Sequence, residues 1–163
     1  MTVRLCLPWP DKRLRTAAAE VSEITDDIRA IWQDMVDTMD AMPGVGLAAP
    51  QIGVMLQLAV VDASDRRDRR ILMANPSVLD ASDEMNTHDE ASPNLPGVSA
   101  KVKRPKTVVV RYMNEAGIIT RRDFDGLEAT SVQHQIDHLQ GRMYFDNLGR
   151  VKRDMLLRKA RKS

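Results

Sequence analysis

The sequence predicts an α+β fold over residues 1–163, and three patterns predict it. Apolar residues recur at helical spacing over 26–42, short apolar runs broken by turn signals fill the middle, and a helix with an N-terminal capping pattern follows from residue 125. No repeat, low-complexity tract or interdomain linker divides the chain, so it reads as a single domain. At this length folding removes roughly 69% of the extended-chain surface. Size alone therefore demands neither disulfides nor a metal.

In chain order, residues 11–20, with Ala17, Ala18 and Ala19, predict a short helix. A stronger helix is predicted over 26–42, where Ile28, Ile31, Trp32, Met35 and Met39 recur every 3.6 residues or so. Thr25 is its N-cap, Asp26 and Asp27 suit its first turn, and Pro43-Gly44 stops it. Its methionines read as core packing. Residues 54–61 predict a strand, 62–70 a polar loop, and 71–74 a short strand ended by Asn75-Pro76. Residues 79–98 lack periodicity and predict a long loop, of the kind that carries function or moves. Residues 107–113 and 117–124 predict a hairpin across Asn114-Glu115-Ala116. Asp125 then caps a helix running to about residue 140, Glu128 completes a capping-box pattern, and Gly141 ends it. On that helix Val132, Ile136 and Leu139 share one face, and His134 and His138 another.

Cys6 is the only cysteine, which excludes an intramolecular disulfide and a Cys-rich zinc module and fits a reducing compartment. The apolar runs at 45–49 and 54–61 fall far short of the roughly 18 residues a membrane helix needs. Trp9-Pro10-Asp11-Lys12 comes too early for a signal peptide, so the expected location is cytoplasmic, with no membrane partner. The net charge of +1 conceals an uneven distribution: residues 1–100 hold 9 Lys/Arg against 16 Asp/Glu, and residues 101–163 hold 15 against 7. The densest basic stretch, 150–162, reads first as a solubilising amphipathic helix and second as a contact for RNA or another polyanion.

The sharpest chemical signal is His134-Gln135-Ile136-Asp137-His138. Histidines at i and i+4 project together from a helix, so both imidazoles reach one metal ion, and the residue after the first lies beside that ion's water. In an HExxH helix the glutamate takes the proton from that water. Gln135 stands in its place here, and an amide cannot serve as a base near neutral pH. Losing a positioned base lowers a rate by about 10² to 10⁴. A pair of helix histidines with ordinary polar partners is the alternative reading of the same spacing.

Three segments in order carry a resemblance. They are Gly44-Val45-Gly46-Leu47-Ala48-Ala49-Pro50-Gln51, Glu90-Ala91-Ser92-Pro93-Asn94-Leu95-Pro96-Gly97 and Gln133-His134-Gln135-Ile136-Asp137-His138-Leu139. With Pro8-Trp9-Pro10-Asp11 and residues 71–76, the chain over nearly its whole length resembles the peptide deformylases, which remove formyl from N-terminal formyl-methionine. The resemblance implies antiparallel or mixed sheets around a central motif helix, with a further helix at the C-terminal end. It also implies a metal, iron in catalysis and often zinc or nickel on isolation, held by one cysteine and two helix histidines.

Residue by residue, His134 and His138 match the histidine ligands, whereas Ser92 occupies the place of the cysteine in the family's E-G-C-L-S segment. A serine hydroxyl offers no soft thiolate and is a weak or lost ligand for Fe²⁺, Zn²⁺ or Ni²⁺. Nothing marks Cys6 as a substitute. Pro93 follows at the position whose backbone N–H, with the side chain of Gln51, stabilises the formyl oxygen in the family, and proline has no N–H. Removing one such donor lowers rates by about 10² to 10³. Metal ligand, general base and oxyanion donor are thus all altered, at Ser92, Gln135 and Pro93.

The implied function is a deformylase-like protein with absent or strongly reduced deformylation and a retained cleft for an N-terminal peptide. The alternative is an active metal-dependent deformylase that releases formate and a free amine through an altered site. Gly44, Val45, Gly46 and Leu47 match the segment whose backbone, at Val45, pairs with extended substrate. Glu90 reads as a structural hydrogen-bonder and Asp137 as buried with a polar partner, while His88 reads as an ordinary loop histidine. The basic C-terminal helix resembles that of bacterial deformylases, which implies a ribosome contact. No RNA-reading motif supports sequence-specific nucleic-acid recognition.

Overall fold

A computed structural model describes residues 2–162. Its elements are α1 (Asp26–Ala41), β1 (Gly46–Ala48), β2 (Leu58–Val61), β3 (Ile71–Ala81), β4 (Met85–Glu90), β5 (Ala100–Pro105), β6 (Thr107–Met113), β7 (Ile119–Asp125), α2 (Gly126–Leu139) and α3 (Arg150–Arg161). Single 3₁₀ turns lie at Lys12–Arg15, Ala49–Ile52 and Tyr144–Asn147. β1-β2-β3-β6-β7 form one antiparallel sheet, and β4 and β5 pair separately.

β2 explains where the sheet sits. All four of its residues are buried because both faces are covered: Leu58 and Val60 pack with Trp32, Met35 and Met39 of α1, while Ala59 and Val61 pack with Ala129, Val132 and Ile136 of α2. A strand covered on both sides reads as a continuous apolar run rather than an alternating one. α2 lies so deep that every residue from Ala129 to Leu139 is buried, so its histidine face is interior as well. Thr25 caps α1 as the sequence predicts, its hydroxyl accepting from Ile28 N–H at 3.2 Å.

Several elements differ from the sequence reading. Residues 11–20 form only the Lys12–Arg15 turn. Beyond it, Ala18 N–H bonds to Leu139 C=O at 2.9 Å and Ala19 N–H to Met55 C=O at 3.0 Å, so tertiary pairing overrides helix propensity. The predicted strand over 54–61 begins only at Leu58. β3 does not stop at Asn75-Pro76. Asn75 takes φ 52°, its side chain pairs with both backbone groups of Val21 at 2.8 and 2.7 Å, and the register shifts between Ala74 and Ser77. Pro76 falls within that shift, where its missing donor is tolerated. The predicted long loop contains the far end of β3 and all of β4, a polar strand with no apolar alternation to announce it. Asp125 occupies the N-cap of α2, but its side chain makes no cap bond, so the capping box does not form.

The N-terminal segment is tied to α1 through Asp34, whose carboxylate accepts from Arg4 Nε and Nη2 at 2.9 and 2.7 Å and from Thr2 N–H at 2.8 Å. The bond from Arg4 is the main reason its pKa falls from the usual value to about 2. A carboxylate depressed by folding adds stability above its unfolded pKa of about 3.9 and loses it as pH falls toward the folded value. Urea unfolding should therefore find wild type more stable than Asp34→Asn by a constant margin between pH 6 and 5, narrowing as pH drops through 4. A margin that does not change with pH would refute this role.

α3 is anchored by one buried side chain, Leu156, packed with Leu14, Leu95 and Phe145, and leaves most of its basic residues and Val151 and Met155 exposed. No helix among the described residues is long and apolar enough to cross a membrane.

Candidate active site

α2 places His134 and His138 one turn apart on its buried face, with their Nε2 atoms 3.1 Å from each other. His134 Nδ1 lies 2.8 Å from Glu90 Oε1 at the end of β4. Burial alone would raise the pKa of Glu90, but hydrogen bonds from His134 and Arg104 outweigh it and hold the carboxyl below its usual range. Glu90 is therefore ionised at neutral pH, and the proton between it and His134 sits on Nδ1. His138, fully enclosed, is pushed well below the usual histidine value, first by burial and then by its neighbours His134 and Arg104, so it stays neutral. Its Nδ1 has no hydrogen-bond partner.

Behind the histidines lies a closed charge network. Arg104 of β5 grips Glu90 through Nε and Nη2 at 2.7 and 2.9 Å and reaches Asp137 of α2 through Nη1 at 2.9 Å. Arg142 completes Asp137 at 2.6 Å. The Tyr144 ring stacks on His134 with centroids 5.9 Å apart, and burial, with the negative charge of Glu90, pushes its phenol up to about 12. This agrees with the reading of Glu90 and Asp137 as structural groups. His88, expected in a loop, lies instead in β4 opposite Val102 and pairs with Thr130 Oγ1 at 2.9 Å.

The segment after β4 brings Ser92 and Pro93 against the Ala49–Ile52 turn. Ser92 Oγ donates to Asn94 Oδ1 at 3.0 Å and accepts from Gln51 Nε2 at 3.2 Å. Gln51 Nε2 also donates to Asn94 Oδ1 at 2.8 Å, and Gln51 Oε1 accepts from Ala48 N–H at 2.9 Å. Both amide hydrogens of Gln51 are thus engaged by Ser92 and Asn94, although the residue itself lines the cleft described next. Asn94 Nδ2 closes the cluster on Leu7 C=O and Gln51 C=O at 2.6 and 3.1 Å.

A cleft of about 250 Å³ lies between the 42–46 segment and α2, lined among others by Met42, Val45, Pro93, Leu127, His134 and Gln135. β1 is an edge strand. The Val45 carbonyl accepts from Asp62 N–H and from Ser131 Oγ, each at 3.0 Å, so it points into the sheet. Strand parity then turns the N–H and C=O of Gly46 to the open edge. The carbonyl left open on this edge is that of Gly46, whereas the carbonyl of Val45, the position to which the resemblance points, is engaged. A Cβ on Gly46 would lie 2.5 Å from both Gln135 Nε2 and Ser131 Oγ, so a larger residue there would have to displace these two side-chain ends.

Cofactor fit follows from the donors. Two imidazoles converge, but the third position holds a neutral hydroxyl whose proton goes to Asn94. Among the described residues, no group of three or more His, Cys, Asp or Glu side chains is placed to hold a metal. A neutral hydroxyl held by Asn94 and Gln51 is a poorer donor for such an ion than a thiolate. Sequence reasoning missed Arg104, Asn94 and Ser131.

The layout defines an α+β protein whose open strand edge runs along a helix bearing paired histidines at the base of a cleft. A family model described as polypeptide deformylase matches residues 3–154, and the chain belongs to the peptide deformylase family. It is 40% identical over 168 residues to a peptide deformylase of Rhodopseudomonas palustris, covering 100% of this chain and 95% of that one. It is 42% identical over 164 residues to that of Bartonella henselae, covering 99% and 93%. Among solved structures, the Ehrlichia chaffeensis peptide deformylase in complex with actinonin matches with a TM-score of 0.93 at 32% identity, covering 99% of this chain and 98% of that one. The Legionella pneumophila enzyme matches at 0.92 and 36% identity, covering 98% and 94%.

Proposed function

We propose that this protein binds the N-terminal end of an extended peptide along the Gly46 edge, and that it deformylates N-formyl-methionyl peptides weakly or not at all. The observation that carries the reading is the Gln51-Ser92-Asn94 cluster. It ties the ligand position and the remaining oxyanion donor into one closed hydrogen-bond set. Pro93 adds a missing N–H and Gln135 a missing carboxylate, so this member diverges from the family at the second and third motifs.

A second reading has its own support. Relatives at 40% and 42% identity over essentially the whole chain are named peptide deformylase, and that relatedness favours an active metal-dependent enzyme. The metal in that reading is Fe²⁺, Zn²⁺ or Ni²⁺ on His134 and His138, supplying Lewis-acid activation of water and the formyl carbonyl. One experiment separates the two. The natural chain, reconstituted anaerobically with each metal, is assayed for formate release and for binding of formyl-methionyl peptides. The expected result is saturable binding with little or no turnover. Appreciable formate release with metal retained would establish the active reading instead. The exposed basic residues of α3 are in keeping with a ribosome contact, a role separate from the cleft.

A further inference from the structure

β7 is the edge strand of the five-stranded sheet on the side away from the cleft, since the strand order runs β1-β2-β3-β6-β7 and the cleft borders Gly46 of β1. Its register on β6 pairs Val108 with Phe124, Val110 with Arg122 and Tyr112 with Thr120. At the two ends of that ladder Asn114 N–H bonds to Ile118 C=O at 3.0 Å and Gly126 N–H to Lys106 C=O at 3.2 Å. Bonded and non-bonded pairs alternate along antiparallel strands. Thr120, Arg122 and Phe124 therefore direct their backbone groups to β6, and Ile119, Arg121, Asp123 and Asp125 turn theirs to the open edge. All four are exposed, and among the described residues no backbone group pairs with them there.

The side chains of this edge are patterned as well. Arg121 lies directly opposite Arg111 of β6, a like-charge pairing that destabilises a sheet, and Asp123 lies opposite Val109. Neither Arg121 nor Asp123 enters an ion pair among the described residues. A charged edge keeps most foreign strands away. Here, however, Arg121 and Asp123 stand symmetrically about Arg122, so the edge is complementary to itself. A twofold axis through Arg122, perpendicular to the sheet, sets Arg121 of each copy against Asp123 of the other and Ile119 against Asp125, and it pairs all the outward backbone groups. Moving the axis one residue either way instead sets Arg121 or Asp123 against its own copy. The one like-charge contact of the favoured register is Arg122 with Arg122, on the opposite face, where the guanidinium lies over the Phe124 ring of its own strand, 5.6 Å from the centroid. Ile118 and Ile119, 61% and 55% exposed, lie at each end of the junction.

We propose that β7 is a self-docking edge: two copies of this chain pair antiparallel through β7, in the register that joins Arg121 to Asp123 twice, and merge their sheets. A seven-residue strand from each side places the contact at the weak end of specific interfaces, so the dimer is a concentration-dependent one. The β1 edge and the cleft stay open in it.

Sedimentation equilibrium of the full chain, from about 10 μM to about 1 mM in low and high salt, tests the proposal. The expected result is a monomer–dimer equilibrium that weakens as salt is raised. Arg121→Asp and Asp123→Arg, each with its melting temperature confirmed, should each weaken the dimer at least about tenfold, because two attractive pairs become repulsive. An equimolar mixture of the two variants should regain the dimer, since the changed residues then face each other with opposite signs, and Arg121→Asp/Asp123→Arg should associate as the natural chain does. A natural chain that stays monomeric at the highest concentration would overturn the proposal and leave the edge to a strand of some other protein. Single variants that associate undiminished, or a mixture that stays monomeric, would overturn it by placing any dimer contact elsewhere.

Discussion

Ser92→Cys/Pro93→Leu/Gln135→Glu, reconstituted with iron under anaerobic conditions, should release formate from formyl-methionyl peptides at least about 10²-fold faster than the natural chain. A positioned base is worth about 10² to 10⁴ and an oxyanion donor about 10² to 10³. The factors do not multiply, because groups that act as a unit are not additive. Elemental analysis should find the triple variant near one metal per chain and the natural protein well below it, since a thiolate replaces a hydroxyl at the third position. The structure adds a refinement: Asn94 Oδ1 still takes the Gln51 amide at 2.8 Å. Adding Asn94→Ser should free that donor and raise the rate again, with some loss of stability where Asn94 also holds Leu7. A triple variant that takes up metal and stays silent would show that these three positions do not explain the block.

Arg104→Met should lower stability by about 3 to 5 kcal/mol, the scale for removing one partner of a buried ion pair. For a chain of this length that is a fall of roughly 6 to 20 °C in melting temperature. Arg104 and Glu90 are each about 5% exposed, and Asp137 is equally buried. Asp137 keeps Arg142, but Glu90 is left with His134 alone. In wild type Glu90 is depressed, so its contribution is present above its unfolded pKa and lost as pH falls through the folded one. In the variant the lone carboxylate becomes easier to protonate, and the gap from wild type should shrink between about pH 6 and 4. Glu90→Gln/Arg104→Met should cost less than the sum of the single changes. A gap that stays constant with pH would mean that Glu90 is not the group left unpaired.

How legible each part was depended on the range of the interactions that decide it. α1 could be read from its stripe and from Thr25, both local. The 107–113 strand and its partner could be read from an apolar run followed by the Asn114-Glu115-Ala116 turn. β4 could not, because Met85 to Glu90 is polar and is held by pairing with β5 rather than by burying one face. The helix predicted over 11–20 failed for the complementary reason: its backbone groups bond to Leu139 and Met55, far away in sequence.

At the site, the sequence alone determined the chemistry on offer: an amide at 135, a hydroxyl at 92, an imino acid at 93 and two histidines one helical turn apart. These are covalent facts about donors and acceptors, and no packing changes them. Only the tertiary structure decided what remains usable. It joined Asn94 to Gln51 across 43 residues, set Arg104 behind Glu90, turned the Val45 carbonyl inward, and left the Gln135 oxygen buried without a partner. Hydrogen-bond capacity is a property of the residue, but which groups are already engaged depends on who sits within 3 Å or so, and that is fixed by how the sheet, α2 and the 90–97 segment come together.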